Sequence, residues 1–290
     1  MSGGSGESLA PPGERETGAA PAAPARGRAW RGRRLGRAGA WLAPLLAILA
    51  LIGLWQIYVL TSGVDALVLP GPGAVLTALY RDRGTLASNL GTSALEILLG
   101  ILVAGLIGLA GAVLIHLSAA ARRMFYPLLV ASQAVPVVIL IPVLVLWLGF
   151  GLLPKLAVIG LVCFFPIVVT TLAGLDTVDP ELIKLMRTLD ASRRDVFLRV
   201  ELPSALPGLF TGVKLAAVFA VIGDVFAEQS GATSGLGLLL QVTTANLELA
   251  EAFATVLVLS GFAILLFALL SVVERRAAPW AYRGKDSASR

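Results

Sequence analysis

Six apolar runs follow one another along the chain, at about 38–60, 93–117, 124–148, 155–175, 206–228 and 250–273. Each has roughly the twenty residues a helix needs to cross a hydrocarbon layer about 30 Å thick. Short joints bearing proline or glycine separate several of them. The pattern predicts an all-α, polytopic membrane protein with six transmembrane helices. The stretch 70–90 differs. A turn signature, Pro70-Gly71-Pro72-Gly73, is followed by apolar residues at helical spacing. It predicts a short amphipathic helix at the outer surface, not a span.

The flanks are polar. Residues 1–37 are rich in Ala, Gly, Pro, Ser and Arg and predict a disordered cytoplasmic tail. A signal peptide fits less well, because the polar lead and the first apolar run are both too long. Basic residues then orient the spans. They crowd before the first run, after the second at Arg122 and Arg123, after the fourth between Lys184 and Arg199, and after the sixth. The alternate joints carry only Arg81, Arg83 and Lys155. Both termini are therefore expected in the cytoplasm. The domain plan is a tail over 1–37, a six-helix domain over 38–275 with a cytoplasmic loop at 176–205, and a cytoplasmic tail over 276–290.

Composition sharpens this picture. Only 14% of residues are charged, against about 25% in soluble domains. The net charge of +5 calls for no nucleic-acid partner, because cytoplasmic Lys and Arg raise it. One cysteine, Cys163, and one histidine, His116, allow no disulfide framework and no zinc-ligand cluster.

The loop is the part that needs explaining. Asp179 and Pro180 spell a helix start. Leu182, Leu185, Met186 and Leu189 then fall on one face. Asp190 suits the left-handed turn that ends a helix. Ser192 and Asp195 have capping-box spacing, Val196, Phe197 and Val200 make a second stripe, and Pro203 is expected to stop it. The segment thus reads as a basic helix–turn–helix under the membrane. Anionic lipid headgroups could hold its basic side, while a partner groove would explain its apolar stripe as well.

The stretch 184–203 resembles the cytoplasmic loop signature of binding-protein-dependent ABC transporter permeases: Glu-Ala-Ala, three residues, Gly, nine residues, then Ile, any residue, Leu-Pro. Aligned on Val200-Glu201-Leu202-Pro203, the glycine falls on Asp190 and the triplet on Lys184-Leu185-Met186. Lys184 thus stands where the family has an acid, and Asp190 where it has glycine. The stretches 133–151, 165–189 and 204–237 are similar to permeases for sulfonates, taurine, nitrate, riboflavin and pyrimidine precursors. The resemblance implies a permease subunit with two ABC ATPase subunits, an extracytoplasmic binding protein and a second permease copy as partners, in a prokaryotic inner membrane. It implies that Leu182, Lys184, Leu185, Met186, Arg187, Leu189, Asp190, Ala191 and Phe197 form the ATPase-docking coupling helices. The chain has no G-x-x-x-x-G-K-[ST] loop, so no bound cofactor is expected. ATP and Mg would be used by the partner, and no catalytic residue or metal ligand is expected here.

Polar and aromatic residues at membrane depth are the candidates for a substrate path: Gln133, Phe164, Phe165 and Asp224. Glu96 and Glu228 read instead as interfacial carboxylates that reach water. Lys214 is expected to snorkel, His116 to be structural and Cys163 to be packing. Gly208, Gly212, Ala216 and Ala220 form a small-residue stripe for close helix packing, with a weaker one at Gly105, Gly108 and Gly111. An ion-gradient-driven secondary transporter is the alternative function, though the chain shows no convincing internal repeat. A membrane-embedded enzyme would need a cluster of His, Asp or Glu at membrane depth, and none is expected. Pyrimidine-precursor or riboflavin-type solutes are slightly favoured over sulfonates or nitrate.

Overall fold

The computed structural model describes residues 37–281. The expected tail at 1–37 falls outside the described residues except for Arg37, and the tail at 276–290 is described as far as residue 281. Internal contacts divide the chain into two units, Met1–Ala50 and Leu51–Arg290. The described part of the first unit is the start of helix α1 (Arg37–Ser62), and all packing described below belongs to the second.

Among the described residues every regular element is helical. After α1 come α2 (Pro72–Arg81), α3 (Arg83–Leu117), α4 (Ala119–Ser132), α5 (Val137–Leu148), α6 (Leu152–Leu175), α7 (Pro180–Thr188), α8 (Arg193–Val196), α9 (Leu202–Gln229), α10 (Leu236–Ala245) and α11 (Leu249–Ala277). Five helical runs are long and apolar enough to cross a membrane, and the α4–α5 pair makes a sixth if its two bent pieces count as one span. That agrees with the six apolar runs.

Three local expectations change. The third run is not one straight helix, because α4 and α5 meet at a bend of 100°. Pro136 stands at the break as the N-cap of α5, and a proline pushes the residue before it away from helical geometry. The second span starts ten residues early, at Arg83, because Leu86 is buried and continues the helical face. Pro203 does not stop the loop's second helix. The chain widens into a π-turn at Phe197–Glu201, where the Leu202 N–H reaches back five residues to Phe197 O. The wider turn accommodates a ring that would otherwise strike the carbonyl four residues earlier. A run of 37 residues, Arg193–Gln229, therefore passes from loop to span without interruption.

The core is α6, clasped between α3 and α9. Apolar side chains gain little by leaving lipid for protein, so close packing must hold these helices together. The small-residue stripe supplies it. A Cβ on Gly208 would strike Thr170 O, and one on Gly212 would meet Thr170 Oγ1 and lie 2.8 Å from Ile167 Cα. Ala216 and Ala220 are fully buried, and the Cys163 thiol donates to Ala216 O at 3.3 Å. On the other side of α6, Gly100 packs under Ile159 and Gly108 under Ile167, whereas Gly105 faces open space. The stripe of α3 that meets α6 is thus Gly100, Gly108 and, in looser contact with Phe164, Gly111.

Replacing Gly212 with leucine forces α6 and α9 apart against backbone that cannot yield. We expect a loss of about 1–3 kcal/mol or more. Gly261, with nothing within 4 Å of a built Cβ, should tolerate alanine. Thermal unfolding of the two detergent-solubilised variants makes the comparison, and equal melting temperatures would contradict the packing account.

Candidate functional site

Three groups of residues stand out, and the helix ends determine where each lies.

The first is the loop. The Asp179 side chain accepts from Glu181 N at 2.8 Å and starts α7, with Pro180 in the first turn. Asp190 takes φ 61°, the Ala191 N–H bonds Met186 O at 3.0 Å, and the Asp190 N–H bonds Arg187 O at 3.1 Å. This is a Schellman closure with aspartate in the left-handed place glycine usually fills. The Ser192 hydroxyl accepts from Asp195 N at 3.2 Å and donates to Asp195 Oδ2 at 2.5 Å, which starts α8. No residue of α7 is buried, and Leu182, Leu185 and Leu189 lie exposed along it. Met186 is half-buried, as are Ala191 and Phe197. Lys184 pairs with Glu181 at 3.2 Å on the surface. Arg187 joins Phe197 and Glu201 in lining a cavity of about 370 Å³ that also borders His116.

His116 is structural in a specific way. Its ring nitrogens face Asp176 at 3.4 Å and Glu201 at 3.3 Å, while Arg122 reaches Asp176 at 2.6 Å. The group ties the ends of α3, α4 and α6 to the π-turn. Lys214 does not snorkel, because it pairs with Glu274 of α11 at 2.6 Å.

The second group lies beside the α4–α5 bend. A cavity of about 530 Å³ brings together Gln133, Phe164 and Phe165, with Phe125, Ser132 and Leu161 around them. No charged side chain lines it among the described residues. The Ser132 hydroxyl is already used on Leu129 O at 2.7 Å, so the Gln133 amide is the free polar group in the wall. Three of the four candidate path residues thus come together. Asp224, the fourth, is elsewhere.

The third group holds Asp224, and here both the interfacial reading of Glu96 and Glu228 and the expectation of no acidic cluster fail. Both are buried, because α3, α6, α9 and the start of α10 close over them. Lys155 donates to both oxygens of Glu96, at 2.7 and 2.8 Å. Glu228 accepts from the Ser93 hydroxyl at 2.7 Å and from Gly237 N at 2.5 Å. Ser93 also accepts from Leu236 N at 2.9 Å, and Asn89 from Gly235 N at 2.8 Å. These contacts cap the start of α10 with side chains from α3 and α9, and they put a carboxylate at its N-terminus. Gly235, at φ 125°, leaves no room for a Cβ beside the Glu228 carboxylate. Asp224 has no hydrogen-bond partner on either oxygen, though it is fully buried. The sequence signal for this group was the spacing of Asp224 and Glu228, one helical turn apart. Lys155 passed for an ordinary joint residue.

A multi-pass helical bundle, with an amphipathic helix between two spans and a buried ionic group, defines a polytopic α-helical membrane protein. Residues 87–280 match the family described as binding-protein-dependent transport system inner membrane component. The chain is 34% identical over 240 residues to the formylaminopyrimidine transport permease protein ThiX of Halalkalibacterium halodurans, covering 82% of this chain and 96% of that one. It is 31% identical over 237 residues to the taurine transport system permease protein TauC of Escherichia coli, covering 79% and 86%. A chain of the inward-facing MetNI methionine ABC transporter shares the fold at TM-score 0.57 and 19% identity, over 70% of this chain and 99% of that one. The protein belongs to the family of binding-protein-dependent ABC transporter permeases, the inner-membrane components of importers. It is a multi-pass protein of the prokaryotic inner membrane.

Removing one partner of the Lys155–Glu96 pair leaves a charge stranded away from water. Lys155→Met should lower stability by about 3–5 kcal/mol, and adding Glu96→Leu should recover much of it. Melting curves of the single and double variants in detergent test this. A double variant no better than the single one would show that the pair is not coupled.

Proposed function

We propose that the chain is one half of the membrane pathway of an ATP-driven importer, worked from outside by subunits that hold the ATPase. The observation that carries this reading is α7. Its leucines lie exposed between two spans, on a helix capped at both ends, and an ordered apolar stripe of that kind fits the groove of another protein. Under this reading α7 and α8 are coupling helices at the cytoplasmic face, where both termini also lie. Leu182, Leu185, Met186 and Leu189 fill the groove of an ABC ATPase, and Lys184, Arg187, Asp190, Ala191 and Phe197 shape the contact. Two such ATPases use ATP and Mg, a second copy of the permease completes the path, and an extracytoplasmic binding protein delivers the solute. Membrane lipid surrounds the rest.

The path runs beside the α4–α5 bend, past Gln133, Phe164 and Phe165. An apolar wall with three phenylalanines and one free amide favours a small uncharged ring-bearing solute. A sulfonate or nitrate would lose its hydration there without gaining a cation. A solute of the pyrimidine-precursor type, like that named for one relative, therefore fits this wall better than taurine.

Uptake into proteoliposomes holding the permease with its cognate ATPase and binding protein tests both parts. Leu185→Asp, Met186→Asp and Leu189→Asp together should abolish ATP-dependent uptake while the protein still inserts. Labelled formylaminopyrimidine should enter and taurine should not. Normal transport by the triple variant would remove the coupling role. Uptake that survives without ATP but collapses with an ionophore would favour an ion-gradient-driven carrier.

A further inference from the structure

We propose that Glu96, Asp224 and Glu228 form a proton-binding site, buried between α3, α6 and α9 and opening past Lys155 to a vestibule. One carboxylate oxygen from each of the three lies within 4.8 Å of the others. All three residues are buried, and among the described residues the cation at the group is Lys155, itself 5% exposed. With every carboxyl ionised, three negative charges would face one positive charge, leaving a net charge of −2 on buried groups. A buried charge of −2 is far too costly to persist, so something bound must offset part of it, and the donors from Ser93 and Gly237 steady what remains.

Asp224 shows where. Its oxygens are the ones without a donor, and ionised carboxylates have no proton to offer one another. A proton placed among the three turns one acceptor into a donor and lowers the charge in a single step. A metal ion fits less well. Both Glu96 oxygens already accept from Lys155, and both Glu228 oxygens already accept, from Ser93 and Gly237. A hard divalent cation wants six or more oxygens, and the Lys155 ammonium would repel it.

The site also has an entrance. Glu96 and Lys155 line a cavity of about 300 Å³ together with Gly151, Gly231, Thr233 and Ser234, on the turns that precede α6 and follow α9. Protons reach Glu96 from there, and Asp224 lies behind it. The charged or titratable groups facing Asp224 are Glu96 from α3, Lys155 from α6 and Glu228 from its own helix. The neighbouring α5 and α10 carry none, and the acids of α11 lie at its two ends, with Glu274 engaged by Lys214. Because the folded state holds a proton that the unfolded chain releases at neutral pH, stability should fall as pH rises.

The full chain in lipid nanodiscs, studied by infrared difference spectroscopy, tests the site. At neutral pH the exposed carboxyls are ionised, so a carboxylic-acid C=O band reports a buried acid. We expect that band in the wild type and its loss in Asp224→Asn. We also expect the melting temperature to fall as pH is raised above neutral, a slope flattened at least twofold in Asp224→Asn. Should that variant fail to fold, the wild-type band decides alone, and Glu96→Gln should shift it. Absence of the band overturns the proposal. So does a band abolished by magnesium or calcium with a rise in melting temperature, which would mean that a cation takes the place. None of these readouts requires transport.

Discussion

The contact between α6 and α9 sets the geometry of everything else. Two helices in lipid come together only where their surfaces allow backbone to meet backbone, and Gly208, Gly212, Ala216 and Ala220 clear that surface on α9. Because α6 is held this closely on one side, α3 can lie against its other side through Gly100 and Gly108. The three helices then bring their polar ends into register. At one end Glu96, Lys155, Asp224 and Glu228 meet, and at the other His116, Asp176 and Glu201 meet. From Glu96 to His116 along α3 is about 30 Å at 1.5 Å per residue. Two polar groups therefore pin opposite ends of one three-helix unit, with an apolar core between them.

That arrangement divides the molecule by character. The three-helix unit is closely packed and cross-linked by charge, whereas the α4–α5 pair turns sharply beside it and leaves a cavity against α6. Dense packing resists deformation, so movement belongs to the elements with fewer contacts. The bend at Gln133–Pro136 and the exposed α7 are such elements, and they are also where the pathway and coupling surfaces are proposed.

Much of this was legible in the residues, and what was not has identifiable causes. Apolar run length reports how far a segment can reach, which is why the spans fell where expected. Local chemistry reports how helices begin and end. Asp179, Asp190 and Ser192 act on neighbours a few positions away, and each behaves as its type and spacing predict. Pro136 and Pro203 are harder. The same residue breaks one segment and is absorbed in another, because a π-turn before Pro203 makes room that the segment before Pro136 lacks. The ionic group was hidden for a different reason. Glu96 and Lys155 are 59 residues apart, and nothing local to either marks it as buried. Glu228 looked interfacial by its position near a span end, yet α10 folds back over it.

The uninterrupted passage from α8 through the π-turn into α9 has a mechanical meaning. A hinge at this place would let a disturbance at the loop dissipate in bending. A helical run that continues from Arg193 to Gln229, past Pro203 and Pro207, transmits more of it. Its 37 residues reach roughly 55 Å at helical rise. A push at its foot near Arg193 is therefore carried to its far end, where Asp224 and Glu228 sit, and takes α6 and α3 with it, because both are held against α9.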